Sequence, residues 1–463
     1  MFINRHRELA AIERSFASDR AELFVLYGRR RVGKTELLRA ACAGRRAIFF
    51  VADLGTEASA LSEFTRQVSQ FAFDRPDAIS PFDSWEAAFA FLVPLARDER
   101  LVVVLDEFTY LVESTPSLPS VLQRLWDAEL RHTRIQLLLC GSYVGLMEQH
   151  VLGYRAPLYG RRTGQWQVQP LDFRDARLFL PAYEPADQVR AFAVLGGVPA
   201  YLLQFEDRLP LEVNIAERIL TPGTVLFDEP RFLLLQELRD PRRYFTILEA
   251  IAAGRTRVNE IAQAVGVTAA SLSFYLGTLR DLGLVERAVP ATERYPERSK
   301  QGLHRLLDPF LRFWFRFVHP NRSLLARGEL PRVQAQIMDQ MDQFTGPVFE
   351  AICREHVWRL AQSGRLGFEP RAVGSWWDRQ DEVDVVAVGD DAVLVGECKW
   401  TVRPVGTNIH DDLVARAEHI RSLLGVTHVR YALFARAGFT AEMAQQAEAE
   451  NIILVDLAEL TGL

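Results

Sequence analysis

The stretch that most constrains this chain is GRRRVGKT, residues 28–35, which directly follows the apolar run LFVLY at 23–27. Glycine, four residues, then Gly-Lys-Thr between a buried strand and a helix start is the spacing of a phosphate-cradling loop. Gly28 and Gly33 let the backbone approach an anion closely, and the loop N–H groups face that anion at a helix N-terminus. Lys34 is expected to reach the β- and γ-phosphates, and the Thr35 hydroxyl to ligate Mg²⁺. Arg29, Arg30 and Arg31 add positive potential, and Arg31 joins the nucleotide-binding set. A second element fits the first. In LVVVLDEFTYL, Asp106 ends an apolar strand and Glu107 follows it. Asp106 suits the Mg²⁺ shell and Glu107 suits polarising the attacking water. The cofactors implied are ATP and Mg²⁺.

At 463 residues the chain exceeds one ordinary core, so several domains are expected. Residues 1–165 alternate apolar strands (23–27, 47–52, 101–106, 135–142) with amphipathic helices (60–72, 85–96). That pattern predicts a three-layer α/β domain with a parallel sheet buried on both faces. Residues 166–239 show helical periodicity broken at Gly196, Gly197 and Pro199, the pattern of a helical lid. Residues 240–325 carry three short helical segments (244–254, 258–266, 268–283) and then a ribbon, which predicts a winged helix. Residues 335–463 form a last α/β unit, with a helix at 346–362, strands at 381–389 and 392–400, a helix at 411–424, a strand at 428–435, a helix at 440–450 and a strand at 452–457.

No apolar window is long enough to span a membrane, and the N-terminus does not read as a signal peptide. Cys42, Cys140, Cys353 and Cys398 form no CxxC pair, so reduced structural cysteines and a cytoplasmic location are expected. The net charge of −6 argues against a globally basic nucleic-acid binder but leaves room for a local patch. The ribbon supplies one, with Arg287, Arg294, Arg298, Lys300, His304 and Arg305. The recognition helix offers Ser271, Ser273 and Tyr275 as exposed contacts, but its charges, Arg280 and Asp281, lie near its end. A winged helix used for protein contacts or as a lever competes with DNA binding here. Phe310, Phe313, Trp314 and Phe317, at helical spacing, predict core.

In the last unit, Glu397 and Lys399 stand at i and i+2 of a strand and point to one face. A GDD turn at 389–391 makes the preceding strand a hairpin partner, so Asp384 can reach Glu397. Glu350, on the helix before, can approach the same point. Two or three carboxylates form a hard-oxygen site for Mg²⁺ or Mn²⁺, and a lysine beside them offsets charge at a scissile phosphate. A plain salt bridge between Glu397 and Lys399 is the competing account. Two further candidates are softer. Ser142, ending a strand, suits sensing the γ-phosphate or capping a helix. Arg161 and Arg162 suit either a charge supplied to the transition state or a solvated turn.

FINRHREL, YGRRRVGKTELL, LVVVLDEFTYL, LLLCGSYVGLM, PLYGRRT and VLGGVPAYL together resemble the archaeal/bacterial ATPase family, a STAND-type branch of AAA+-related P-loop NTPases. The resemblance implies that Asn4 and Arg5 lie near the adenine and that Arg161 is the arginine-finger equivalent. Asp384 followed by Glu-x-Lys resembles the PD-(D/E)XK nuclease core, and the region 335–435 resembles the C-terminal domain that accompanies this ATPase family. The reading is an ATPase joined through a lid and winged helix to a restriction-endonuclease-like domain, with metal-dependent DNA cleavage expected. Its alternatives are a signalling ATPase switch and a DNA-binding regulator with an inactive nuclease-like domain. Self-association and a finger acting within or across chains are left open.

Overall fold

The computed structural model describes residues 3–142, 144–238 and 240–462. The chain divides into two compact units. The first holds residues 1–170 with 198–200 and 236–239; the second holds 171–197, 201–235 and 240–463.

The first unit is built on strands β1 (Glu22–Tyr27), β2 (Ala47–Val51), β3 (Leu101–Asp106), β4 (Ile135–Gly141) and β5 (Gly164–Gln167), in the order β2-β3-β4-β1-β5. Every neighbouring pair is parallel. β3 and β4 are buried at every position, which explains their unbroken Val/Leu runs. Helices cover both faces. Glu57–Phe73 and Trp85–Leu95 pack a Phe50, Phe64, Trp85 and Phe89 aromatic cluster on one side. His6–Phe16 and Lys34–Cys42 bury Ile12, Leu37 and Leu38 on the other.

β5 is absent from the strands expected. It is a short edge strand of mixed burial, GQWQ, so it lacks the apolar run that marks the others. Its Gly164 lies against the Phe24 ring, where an added Cβ would come within 2.6 Å.

The second unit begins with short helices. Gly197 explains part of the break in helical periodicity. Its carbonyl accepts from Leu171 N at 2.7 Å, and a Cβ at 197 would fall 1.7 Å from the Leu171 carbonyl oxygen. The winged-helix segment follows the expectation closely, with helices Pro241–Ala252, Val258–Val265 and Ala269–Asp281 and an antiparallel ribbon of β6 (Val285–Ala288) and β7 (Leu303–Leu306). Phe310, Phe313, Trp314 and Phe317 are buried, as expected of core residues, and Trp314 Nε1 donates to the Phe227 carbonyl at 2.8 Å.

The C-terminal sheet runs β12-β11-β10-β9-β8, from β8 (Ala372–Trp377), β9 (Glu382–Val388), β10 (Ala392–Lys399), β11 (His428–Ala435) and β12 (Ile453–Asp456). It is mixed: β8, β9 and β10 are antiparallel, while β10, β11 and β12 are parallel. The preceding helix is far longer than expected, Leu330–Gln362, with Pro347 inside it. Gly346-Pro347 reads as a helix start, because proline suits the first turn. Burial of Val333, Ile337, Met341 and Phe344 carries the helix through that point instead. Among the described residues, no single helix is long and apolar enough to cross a membrane. All four cysteines are buried and outside disulfides.

Gly197→Ala is expected to lower stability by about 1–3 kcal/mol, the usual cost of overpacking, because the obstruction is backbone. Urea unfolding of the variant against wild type measures it; an unchanged midpoint would contradict the close packing of residues 171 and 197.

Candidate nucleotide site and winged-helix interface

The strand order brings the candidate catalytic residues together. β1, β4 and β3 are neighbours, and each delivers one component at its C-terminal end. β1 runs into the loop 28–33, β4 ends beside Ser142, and β3 ends in Asp106. The loop is glycine-dependent at two points. Gly28 has φ 147° and lies against Val168, whose carbonyl oxygen would sit 2.4 Å from an added Cβ. Gly33 has φ 92° and caps the helix Lys34–Cys42. Arg31 also adopts a positive φ, 70°, which is uncommon without glycine.

Lys34 is buried, and its Nζ donates to the Gly28 and Arg29 carbonyls at 2.9 and 3.0 Å. Thr35 Oγ1 donates to Asp106 Oδ2 at 2.6 Å. The other Asp106 oxygen accepts from Glu107 N at 2.9 Å. Glu107, at φ 52°, leaves the strand sharply, and its Oε2 accepts from the buried Ser142 hydroxyl at 2.7 Å. Thr35, Asp106, Glu107 and Ser142 therefore form one hydrogen-bonded chain from the helix after the phosphate loop across the ends of β3 and β4. Thr35 and Asp106 present adjacent hard oxygens, which fits Mg²⁺ held jointly with phosphates and water.

Arg5 is mostly buried and stitched to the fold. It donates to the Val32 and Gln169 carbonyls and to Glu8, each at 2.8 Å. Asn4 and Arg5 both take positive φ, so the N-terminal segment turns sharply there. The Arg5 guanidinium thus holds the phosphate loop in place, a role that its position in FINRHREL does not reveal. Arg161 donates to both Asp127 oxygens and to the Tyr159 carbonyl, none of them phosphate-loop groups. Arg162 lies near the Tyr159 ring and donates to the Leu152 carbonyl.

Sequence reasoning missed two neighbours of the loop. Tyr110 accepts from Arg30 Nη2 at 2.6 Å, and Glu237 accepts from Arg30 N at 3.1 Å. Tyr110 lies in the quoted LVVVLDEFTYL, three residues past Glu107. Glu237 is some two hundred residues from the loop, and nothing local marks it.

The register of the C-terminal hairpin places two of the candidate carboxylates side by side. β9 and β10 pair Val385 with Gly396, and one further step puts Asp384 opposite Glu397. Asp384 Oδ2 accepts from Cys398 N at 2.9 Å. Burial, then the Glu397 charge, pushes the Asp384 carboxyl up to about 6. Burial, then the Asp384 charge, pushes Glu350 up to about 7, although Arg354 pairs with it at 3.6 Å. Glu397 is held by cations on both oxygens, Lys399 Nζ at 2.6 Å and Arg416 Nη2 at 2.9 Å. Among the described residues, no three His, Cys, Asp or Glu side chains are grouped to hold a metal ion. Two or three carboxylates are expected to share a metal; Glu350, Asp384 and Glu397 are not grouped as a three-ligand centre among the described residues. The Glu397–Lys399 salt bridge, weighed as the competing account, is present, and Arg416 reinforces it.

The winged-helix patch is partly structural. Arg287 donates to the Pro296 and Ser299 carbonyls, and Arg305 lies over the Trp377 ring at 5.3 Å. His304, expected among the patch residues, is instead buried, and burial followed by Arg280 and Arg287 pushes its pKa down to about 4. A histidine at an inward position of a short ribbon cannot be told from an outward one by composition. Arg294, Arg298 and Lys300 remain at the surface near the exposed Tyr295, and Ser271 and Ser273 are exposed on the recognition helix. Phe274, beside them, is 70% exposed.

Known proteins resemble this chain along most of its length. Residues 2–205 match the family described as an ATPase domain predominantly from Archaea. Residues 242–288 match the IclR helix-turn-helix domain, and residues 314–409 match a family described as archaeal and bacterial proteins of unknown function. The uncharacterized protein MJECL04 of Methanocaldococcus jannaschii is 33% identical over 404 residues, covering 86% of this chain and 88% of its own. The chain belongs to this predominantly archaeal ATPase family. The uncharacterized ATP-binding protein MJ0423 of the same organism is 54% identical over 39 residues, 8% of this chain and 66% of its own. Among solved structures, the Walker-type ATPase PABY2304 of Pyrococcus abyssi aligns with 22% identity and a TM-score of 0.49, covering 68% of this chain and 96% of its own.

Protonation of His304 has a definite sign. Its folded pKa of about 4 lies below the ordinary 6.5, so between those values the folded chain binds fewer protons than the unfolded one. Stability is therefore fully present above pH 6.5 and falls as pH drops toward 4. Urea unfolding of His304→Gln across this window should show a shallower loss than wild type; equal slopes would contradict the buried neutral imidazole.

Proposed function

We propose that the chain is an ATP-dependent switch in which nucleotide binding and hydrolysis by the first unit control DNA binding by the helix-turn-helix segment. The observation that carries this reading is the hydrogen-bonded chain Thr35–Asp106–Glu107–Ser142, set beside the phosphate loop in a member of an ATPase family. Lys34 and the loop amides bind and orient the phosphates. Thr35 and Asp106 hold the Mg²⁺, which when bound neutralises phosphate charge. Glu107, freed from the Ser142 hydroxyl, aligns the attacking water and accepts its proton. The Ser142 contact holds that carboxylate in one rotamer, so Glu107 stays idle until a terminal phosphate competes for the hydroxyl.

DNA contact is supported by the helix-turn-helix match and by the exposed Arg294, Arg298 and Lys300 on the ribbon. These side chains suit phosphates, and phosphate contacts give binding that weakens steeply with salt. The recognition helix presents serines and Phe274 rather than long polar groups, so strong base readout is not expected.

A second reading, metal-dependent strand cleavage by the C-terminal domain, is favoured by one observation. Asp384 stands opposite Glu397, and Lys399 bonds to that same carboxylate. With Lys399 and Arg416 on Glu397, the arrangement of charges does not fit a metal centre as it stands.

Lys34→Ala is expected to reduce ATP turnover by at least about 100-fold, as for loss of a transition-state donor, in a phosphate-release assay. Glu107→Gln should bind ATP and fail to hydrolyse it. With that variant, DNA affinity in the ATP state should differ about 5- to 150-fold from the ADP state, the usual range of coupling between sites. Fluorescence anisotropy with duplex DNA reads this, and identical affinities in the apo, ATP and ADP states would sink the switch. The cleavage reading is tested with Mg²⁺ or Mn²⁺ on plasmid and single-stranded DNA. Cleavage by wild type that Glu397→Ala abolishes supports it; no cleavage under either metal removes it.

A further inference from the structure

Glu237 ends the helix Val225–Glu237 and is only 1% exposed, yet a carboxylate is rarely buried so fully without a cation or a full set of donors. Its Oε1 accepts from the backbone N–H of Arg30 at 3.1 Å, and the Arg30 Nε stands 3.8 Å away. Its Oε2 is buried and has no hydrogen-bond partner among the described residues. Burial pushes its carboxyl above the ordinary value, and the Arg30 amide with the charges of Lys34, Arg30 and Arg29 works against that shift. Thus a side-chain anion sits against the loop whose backbone amides exist to receive phosphate oxygens.

The end of the loop that Glu237 touches is also defined. Arg30 Nη2 donates to the hydroxyl of Tyr110, in the helix that begins one residue after Glu107, and Arg30 is drawn by the Glu107 charge. Glu107 is the residue assigned to the water that attacks the terminal phosphate. The Arg30 side chain therefore reaches the hydrolysis end of the loop, where a triphosphate carries charge and a diphosphate does not.

We propose that Glu237 is an internal competitor for the terminal phosphate, a positioning residue that a nucleoside triphosphate must displace from the Arg30 amide and that a diphosphate leaves in place. This rests on the nucleotide-site reading above and adds the means by which the protein tells the two nucleotides apart. The terminal phosphate and the carboxylate compete for one amide and for the same Arg30, Lys34 and Arg29 charges, so triphosphate binding expels the carboxylate and loosens the C-terminal turn of its helix. The orphaned Oε2 favours expulsion: leaving the site breaks one hydrogen bond and gives up the nearby positive charges, which the phosphate takes over, and it returns a poorly satisfied oxygen to water. The helix is continuous from residue 225, so the release is passed along the chain from the nucleotide.

The test compares full-length wild type, Glu237→Gln and Glu237→Ala, each shown to be folded by thermal unfolding. Dissociation constants are measured by calorimetry with Mg²⁺ for a non-hydrolysable ATP analogue and for ADP. Glu237→Gln keeps the shape and removes the charge, and it should tighten triphosphate binding about tenfold, corresponding to about 1.4 kcal/mol, with ADP affinity changed less than twofold. Glu237→Ala should show the same split. In wild type, hydrogen exchange of residues 225–238 should quicken with the triphosphate analogue and not with ADP. A merely structural role would move both nucleotides together, and equal shifts, or none, overturn the proposal while leaving the ATPase reading standing. Wild type that binds neither nucleotide overturns both.

Discussion

The hydrogen bond from Thr35 to Asp106 is the contact on which the nucleotide site depends. It joins the first turn of the helix Lys34–Cys42, which the loop after β1 leads into, to the end of β3, and β1 and β3 are not adjacent in the sheet. Only the strand between them, β4, fixes the gap that the bond must cross, and β4 also delivers Ser142 to the Glu107 carboxylate. Three apolar strands with buried faces are thus what hold four polar groups in register. The hydrophobic core positions the chemistry, and the polar chain adds little stability of its own but specifies one arrangement.

Arginines in this protein serve structure at least as much as function. Arg5, Arg161 and Arg287 donate to backbone carbonyls, and Arg5 and Arg161 also meet carboxylates. A planar guanidinium with five donors can satisfy several buried acceptors at once, which suits segments that leave regular structure. Counting arginines therefore overstates the positive surface offered to phosphate. Arg30 is the clearest case of both uses: its side chain meets Tyr110 while its amide meets Glu237.

In the C-terminal domain the hairpin places carboxylates opposite one another, and burial raises Asp384 and Glu350 toward neutrality. Lys399 and Arg416 then neutralise Glu397, the most deeply buried of the three. Arg416 comes from the helix Thr407–Leu424, a segment with no motif to announce it. Asp384 and Glu397 could be predicted from strand alternation and the hairpin, and Glu350 from the helix before them, but Arg416 could not.

The sequence by itself determined the phosphate loop, the acidic strand end, most of the core strands and the aromatic core at 310–317. These follow from local spacing, periodicity and glycine, which act over a few residues. Tertiary structure alone decided that β5 closes the edge of the first sheet, that the helix at Leu330–Gln362 runs through Gly346 and Pro347, and that His304 faces inward. It also decided that Glu237 meets Arg30. Each of these depends on which surfaces are covered once the chain is packed. A buried carboxylate and an exposed one are the same letter in a sequence, and only the fold removes the water that distinguishes them.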